Sequence, residues 1–162
     1  MSDITQARTA WTDTIKHEGG ICPVCDRWGR IYRRGINRTM ARSLIWLSTQ
    51  EGDAYGWVDV PTTAPKDVVR TNQLSTLKWW GLIESAANDD PKKKRSGVWR
   101  ITRDGRLFVG HVIRIPKFVY TYNDTVREVS LETVSILECF EDPFDYRRVM
   151  QTHYPEARIE VF

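Results

Sequence analysis

Leu77-Lys78-Trp79-Trp80-Gly81-Leu82-Ile83-Glu84 leads into Pro91-Lys92-Lys93-Lys94-Arg95, and then into Ser96-Gly97-Val98-Trp99-Arg100-Ile101-Thr102-Arg103-Asp104-Gly105. The punctuation of this stretch describes a succession of elements. Gly81 stops a helix, Leu82 to Ala86 has the composition of a strand, residues 88 to 97 form a polar, basic loop, and Val98 to Ile101 returns as a second strand. Thr102 fits a helix N-cap, so Arg103 to Val109 reads as a short helix, although Asp104-Gly105 equally suits a hairpin turn.

Upstream, Asn37 can cap a helix from Arg38 to about Gln50, in which Met40, Ala41, Leu44, Ile45 and Leu47 form one apolar stripe and Gly52 ends the run. Gly56 to Val60 reads as a short strand closed by Pro61. Pro65 suits the first turn of another helix, and Val68, Val69, Leu74, Leu77 and Trp80 carry a helical period through residues 65 to 80. Nearer the start, Ile4, Ala7, Trp11 and Ile15 recur at spacings of three and four before Gly19-Gly20, which predicts an amphipathic helix over residues 3 to 18. A tight turn, Ile21-Cys22-Pro23-Val24-Cys25, and a short strand, Gly29 to Arg33, complete that arm.

Downstream, Phe118 to Tyr122 and Val126 to Val129 flank Asn123-Asp124-Thr125 and predict a hairpin. Ser135-x-x-Glu138 has the form of a capping box, and Asp142-Pro143 can start a last helix reaching about Gln151. The expected class is α+β, in three segments. Residues 1–36 form a helix and C-x2-C arm, residues 37–112 a central domain, and residues 113–162 a hairpin with an acidic helical extension.

The Gly81-Leu82-Ile83 stop, the basic loop and the Ile101-Thr102-Arg103-Asp104-Gly105 return together resemble winged helix-turn-helix proteins of the MarR-like type over roughly residues 38 to 110. The resemblance implies a winged-helix domain that binds double-stranded DNA, with a helix in the major groove and the wing loop on flanking phosphates. It places Arg70, Thr71, Asn72, Gln73, Ser75, Thr76 and Lys78 on the reading surface. Asn72 and Gln73 would meet adenine edges, Arg70 guanine, and Thr71, Ser75 and Thr76 phosphates. Lys92, Lys93, Lys94 and Arg95 of the wing would hold backbone phosphates. Between Val60 and Asn72 there is room for only a very short positioning helix, and terminal helices of dimerising length are not evident, although a homodimer remains open.

The formal charge of +3 is too small to argue for nucleic acid by itself, so the argument rests on distribution. Six arginines lie between positions 27 and 42, whereas Glu132, Glu138, Glu141, Asp142 and Asp145 make the C-terminal part acidic. Arg27-Trp28-Gly29-Arg30-Ile31-Tyr32-Arg33-Arg34 alternates cations with aromatic rings. That pattern suits phosphate contact with base packing, through Arg30, Arg33 and Arg34 above all. It suits somewhat better an exposed ribbon whose Trp28 and Tyr32 pack on the central domain while the arginines sit in solvent.

Cys22-Pro23-Val24-Cys25 has the spacing that lets two thiolates face one metal ion, and it resembles half a zinc ribbon. His17 is the nearest third ligand, and the fourth would come from His111, Cys139, His153 or a second subunit. Structural thiols in a turn are the competing reading, with redox chemistry the least favoured because no βαβ unit surrounds the pair. The start of the chain lacks a signal-peptide pattern and no apolar run reaches membrane-span length, so a cytoplasmic protein without membrane contact is expected.

His17, His111 and His153 are scattered, and no phosphate-cradling glycine loop occurs, so an enzyme is not expected. Two functions remain. One is a DNA-binding transcriptional regulator or accessory factor. The other is a protein-binding adaptor or inhibitor, of phage or mobile-element type, that uses a winged scaffold.

Overall fold

The computed structural model describes residues 2–93 and 96–140, and their architecture is α+β with small antiparallel sheets. The first helix, α1 (Ser2–His17), is followed by short strands β1 (Gly20–Ile21) and β2 (Trp28–Gly29), which pair across the cysteine turn. Next come β3 (Tyr32–Gly35) and α2 (Arg38–Thr49). Asn37 caps α2 as expected: its side-chain oxygen accepts from the Met40 N–H at 3.0 Å while its backbone is extended. Met40, Ala41, Leu44, Ile45 and Leu47 are buried, so the predicted stripe is the face that enters the core.

After α2 the chain forms β4 (Val58–Asp59), one helical turn α3 (Val60–Thr63), a short α4 (Lys66–Thr71) and a 3-10 helix, Leu74–Trp80. A single helix over residues 65 to 80 does not form. Asn72 takes a left-handed conformation (φ 51°) that ends α4, and the chain restarts as a tighter helix from Leu74. Three residues per turn then bring Leu74, Leu77 and Trp80 onto one side. Leu74 and Leu77 are buried there.

Gly81 closes that helix at φ 70°, a region open to glycine at no steric cost. Strands β5 (Ile83–Ser85) and β6 (Val98–Ile101) follow, with α5 (Arg103–Val109) after them. The sheet order is β4-β6-β5, so the loop of residues 86 to 97 joins two neighbouring antiparallel strands. The Thr102 side chain decides the alternative left open by Asp104-Gly105. Its hydroxyl accepts from the Gly105 N–H at 3.1 Å, capping α5, and donates to the Gly81 carbonyl at 2.6 Å. One side chain thus ties the helix stop to the start of the returning helix. Leu82, Ile83, Trp99, Ile101, Phe108 and Val109 pack behind it with the α2 stripe in one buried cluster.

The remaining strands are β7 (Ile115–Pro116), β8 (Phe118–Tyr122), β9 (Thr125–Val129) and β10 (Thr133–Val134). The predicted hairpin is present, turned by Asn123 and Asp124 at φ 51° and 60°, the geometry that favours Asn and Asp in two-residue hairpin loops. Ser135 and Glu138 exchange the reciprocal bonds of a capping box, but the helix that they open is the single 3-10 turn Leu137–Cys139. The helix expected from Asp142 lies outside the described residues.

One pairing was not foreseen from the sequence. Strand β3, from the N-terminal arm, pairs antiparallel with β8, so that arm and hairpin share a sheet of order β3-β8-β9. Among the described residues no helix is long and apolar enough to cross a membrane.

Replacing Gly105 by alanine would drive a methyl group into the Leu82 carbonyl oxygen and to 2.6 Å from Ile101 Cγ1. Overpacking of this kind costs about 1–3 kcal/mol. Urea unfolding should show that loss for Gly105→Ala, and Thr102→Val should lose about 1 kcal/mol by removing the cap.

Candidate nucleic-acid interface

The β3-β8-β9 sheet meets the central unit at the twin tryptophans. Trp80 Nε1 donates to the Pro116 carbonyl at 2.7 Å, Trp79 Nε1 donates to Asp124 Oδ1 at 3.2 Å, and Lys78 Nζ donates to Asp124 Oδ2 at 2.8 Å. Because an indole N–H taken from water needs an acceptor, these bonds fix both ring planes. On the sheet side, the register sets Tyr32 opposite Thr121 and Arg34 opposite Val119. Thr121 and Val119 are buried, so Tyr32 and Arg34 stand on the inner face with them. The Arg34 guanidinium lies 5.0 Å from the Tyr32 ring centre and 5.4 Å from that of Trp79.

A cleft of about 480 Å³ opens between this seam, the cysteine turn and the β8–β9 turn. Its aromatic walls are Trp28, Tyr32, Trp79 and Tyr122, and its cations are Arg27, Arg30 and Arg34. Arg30 approaches the Tyr32 ring at 5.8 Å, whereas Arg33 points to the other face and stacks on Phe118 at 4.6 Å. Among the described residues, no carboxylate pairs with Arg27, Arg30, Arg33 or Arg34.

The residues expected to read DNA along 70–78 are arranged differently. Arg70 is exposed at the end of α4, the Thr71 hydroxyl donates to the Val68 carbonyl at 3.2 Å, and Asn72 occupies the break between the two helices. Gln73 and Ser75 are half-buried, and the Thr76 hydroxyl donates to the Gln73 carbonyl at 2.5 Å. Lys78 is committed to Asp124. No continuous helix presents these side chains as a row, because the left-handed residue at Asn72 turns the chain between Thr71 and Leu74. Lys92 and Lys93 are exposed in the loop between β5 and β6, where Asp90 and Asn88 organise the backbone through bonds to the Lys92 N–H and the Lys93 carbonyl. Lys94 and Arg95 lie outside the described residues.

Cys22 and Cys25 sit on the tight turn that β1 and β2 close, with the Cys22 carbonyl accepting from the Asp26 N–H at 2.9 Å and the Cys22 N–H donating to the Arg27 carbonyl at 2.8 Å. Asp26 is left-handed at φ 57°, the conformation for which such a knuckle ordinarily uses glycine. Among the described residues, no third histidine, cysteine or carboxylate joins the two sulfurs to make a metal-ligand group. His17 faces Asp13 on α1, at 3.4 Å. His153 lies outside the described residues. The thiols differ in chemistry: backbone N–H groups of Val24 and Cys25 aimed at the sulfur hold Cys22 below the ordinary thiol pKa. Burial, reinforced by the Glu138 charge, pushes Cys139 up to about 12.

Trp79, Tyr122, Asn123 and Asp124 complete the cleft, and nothing in their local sequence marks them as its walls. Their contribution depends on β3 finding β8, a pairing across 89 residues illustrated by the Thr121 hydroxyl bonding the Tyr32 carbonyl at 3.5 Å. No protein-family model matches the chain, and no curated protein or solved structure matches it.

The lowered Cys22 thiol carries more thiolate near neutral pH than an ordinary cysteine, and the raised Cys139 thiol far less. Iodoacetamide labelling of the folded protein, read by peptide mass spectrometry, should therefore modify Cys22 first and leave Cys139 unmodified until denaturant is added. Equal labelling of the two would contradict this order.

Proposed function

We propose that the protein binds nucleic acid, through a winged-helix unit over residues 38–109 and the arginine ribbon docked against it. The order helix, strand, helices, strand, strand, with the first strand beside the last, supports the winged-helix reading. Fold alone does not carry the function. What carries it is the set Arg27, Arg30, Arg33 and Arg34, lacking a carboxylate partner among the described residues and interleaved with aromatic rings. Arginines on an exposed ribbon supply phosphate contacts, and their binding energy comes largely from counterion release.

The contact surface differs from that of a groove-entering helix. Segment 70–78 contributes its Trp79-flanking side to the seam with β3, so the ribbon supplies the main charged face and the wing lysines Lys92 and Lys93 an auxiliary one. Gene regulation, replication and packaging all use such surfaces, and the chemistry common to them is recognition of the phosphate backbone.

Binding of a mixed-sequence oligonucleotide should weaken steeply with salt. Replacing Arg30, Arg33 and Arg34 together by alanine should lower affinity and reduce the slope of log affinity against log salt by about one for each phosphate no longer neutralised. Filter binding across a salt series measures both. Failure to bind any oligonucleotide at low salt would overturn the proposal.

A further inference from the structure

The cleft beside the ribbon has more specific chemistry than a phosphate-binding surface requires. Trp28 is 61% exposed and Tyr32 42% exposed, and both line a recess that also contains Trp79 and Tyr122. Large rings left in water at the mouth of a concave site, beside arginines, leave apolar faces available to a flat partner. The recess is built from held parts. Asp124 fixes Trp79, and the β3–β8 register fixes Tyr32. A volume of about 480 Å³ lies within the range of small-molecule sites, roughly 300–1,000 Å³, and is enough for one nucleotide.

We infer that this cleft binds a single unpaired nucleotide, with its base between the aromatic walls and its phosphate on Arg27 and Arg30. The inference rests on the nucleic-acid reading above and names its ligand more closely. Bases in a duplex offer their edges in the grooves while their faces are stacked, so rings recessed in a cleft cannot reach a paired base face. An unpaired base exposes both faces, and stacking on aromatic side chains tolerates every base. The lining is mixed: Asn123 and Asp124 come from the β8–β9 turn, with Asp124 already accepting from Trp79 and Lys78, and Arg27, Trp28 and Arg30 come from the knuckle and the chain after it. The ligand chemistry, an aromatic base carrying a phosphate, is shared by a free mononucleotide and by an unpaired nucleotide within a strand.

The test is fluorescence anisotropy with the full-length protein. Labelled single-stranded DNA and RNA of one sequence are compared with the matching DNA duplex, and unlabelled adenosine monophosphate serves as competitor. The variants are Trp28→Ala, Trp28→Phe and the Arg30, Arg33 and Arg34 triple alanine; because Trp28 is largely exposed, circular dichroism should show the fold intact. The inference expects single strands to bind more tightly than duplex. Trp28→Ala should weaken the single strand about ten-fold or more and the duplex much less, and Trp28→Phe should recover most of the loss. Displacement by the mononucleotide at concentrations comparable to the strand identifies a free nucleotide as the source, and displacement only by strands identifies a strand. Equal affinity for duplex and single strand, unaffected by Trp28→Ala but weakened by the triple variant, overturns the inference and leaves nucleic-acid binding standing. Absence of binding by every strand and by the mononucleotide overturns both.

Discussion

The two indole N–H groups of Trp79 and Trp80 constrain the arrangement of the rest of the molecule. A tryptophan at a packed boundary can be accommodated only if its one donor finds an acceptor. Both acceptors come from the β7–β9 region, the Pro116 carbonyl and the Asp124 carboxylate. The short 3-10 helix that ends the central helical run thereby becomes the seam to the second sheet. Lys78 and Arg34 close over the same seam, through an ion pair on Asp124 and a stack on the Trp79 ring. These contacts add to the buried packing of Ile115, Val134 and Ile136 against the central core in setting where the ribbon lies relative to Trp79.

The same seam explains how a cluster of cations comes to line a recess. Tyr32 and Arg34 belong to the inner face of β3, where the neighbours Val119 and Thr121 are buried. Arg30 follows the β2 corner and Arg33 takes the opposite face, so the charge of one short ribbon is divided between a cleft and an outer surface. The division follows from the strand period of two. Trp28, Arg30, Tyr32 and Arg34 share the even parity of that period, and all four line the one cleft although the strand is broken at Arg30-Ile31.

Elements specified by nearby residues were legible in the sequence. Asn37 as a cap, the α2 stripe, the Gly81 stop, strands β5 and β6 and the β8–β9 hairpin all depend on interactions within a few residues, for which composition and spacing are direct signals, whereas the choice between a Thr102 cap and an Asp104-Gly105 turn was left to the structure. The helical period over residues 65 to 80 was misleading for a physical reason. Leu74, Leu77 and Trp80 are spaced by three, which both a 3-10 helix and an α-helix can bury, and Asn is among the few residues that enter the left-handed region readily enough to separate the two. The capping box at Ser135 was equally legible, but it caps only one turn, because a cap sets where a helix begins and not how far it runs.

The sequence alone determined the class of the fold, the order of its central elements and the presence of an arginine-aromatic ribbon, since each is written in local pattern. Tertiary structure alone decided that Lys78 serves Asp124, that β3 joins β8, and that Trp28, Tyr32, Trp79 and Tyr122 surround one cleft. The physical reason is range. Backbone pairing between strands far apart in the chain is specified by hydrogen-bonding groups that every residue carries, so it leaves almost no mark on residue identity until the chain has folded.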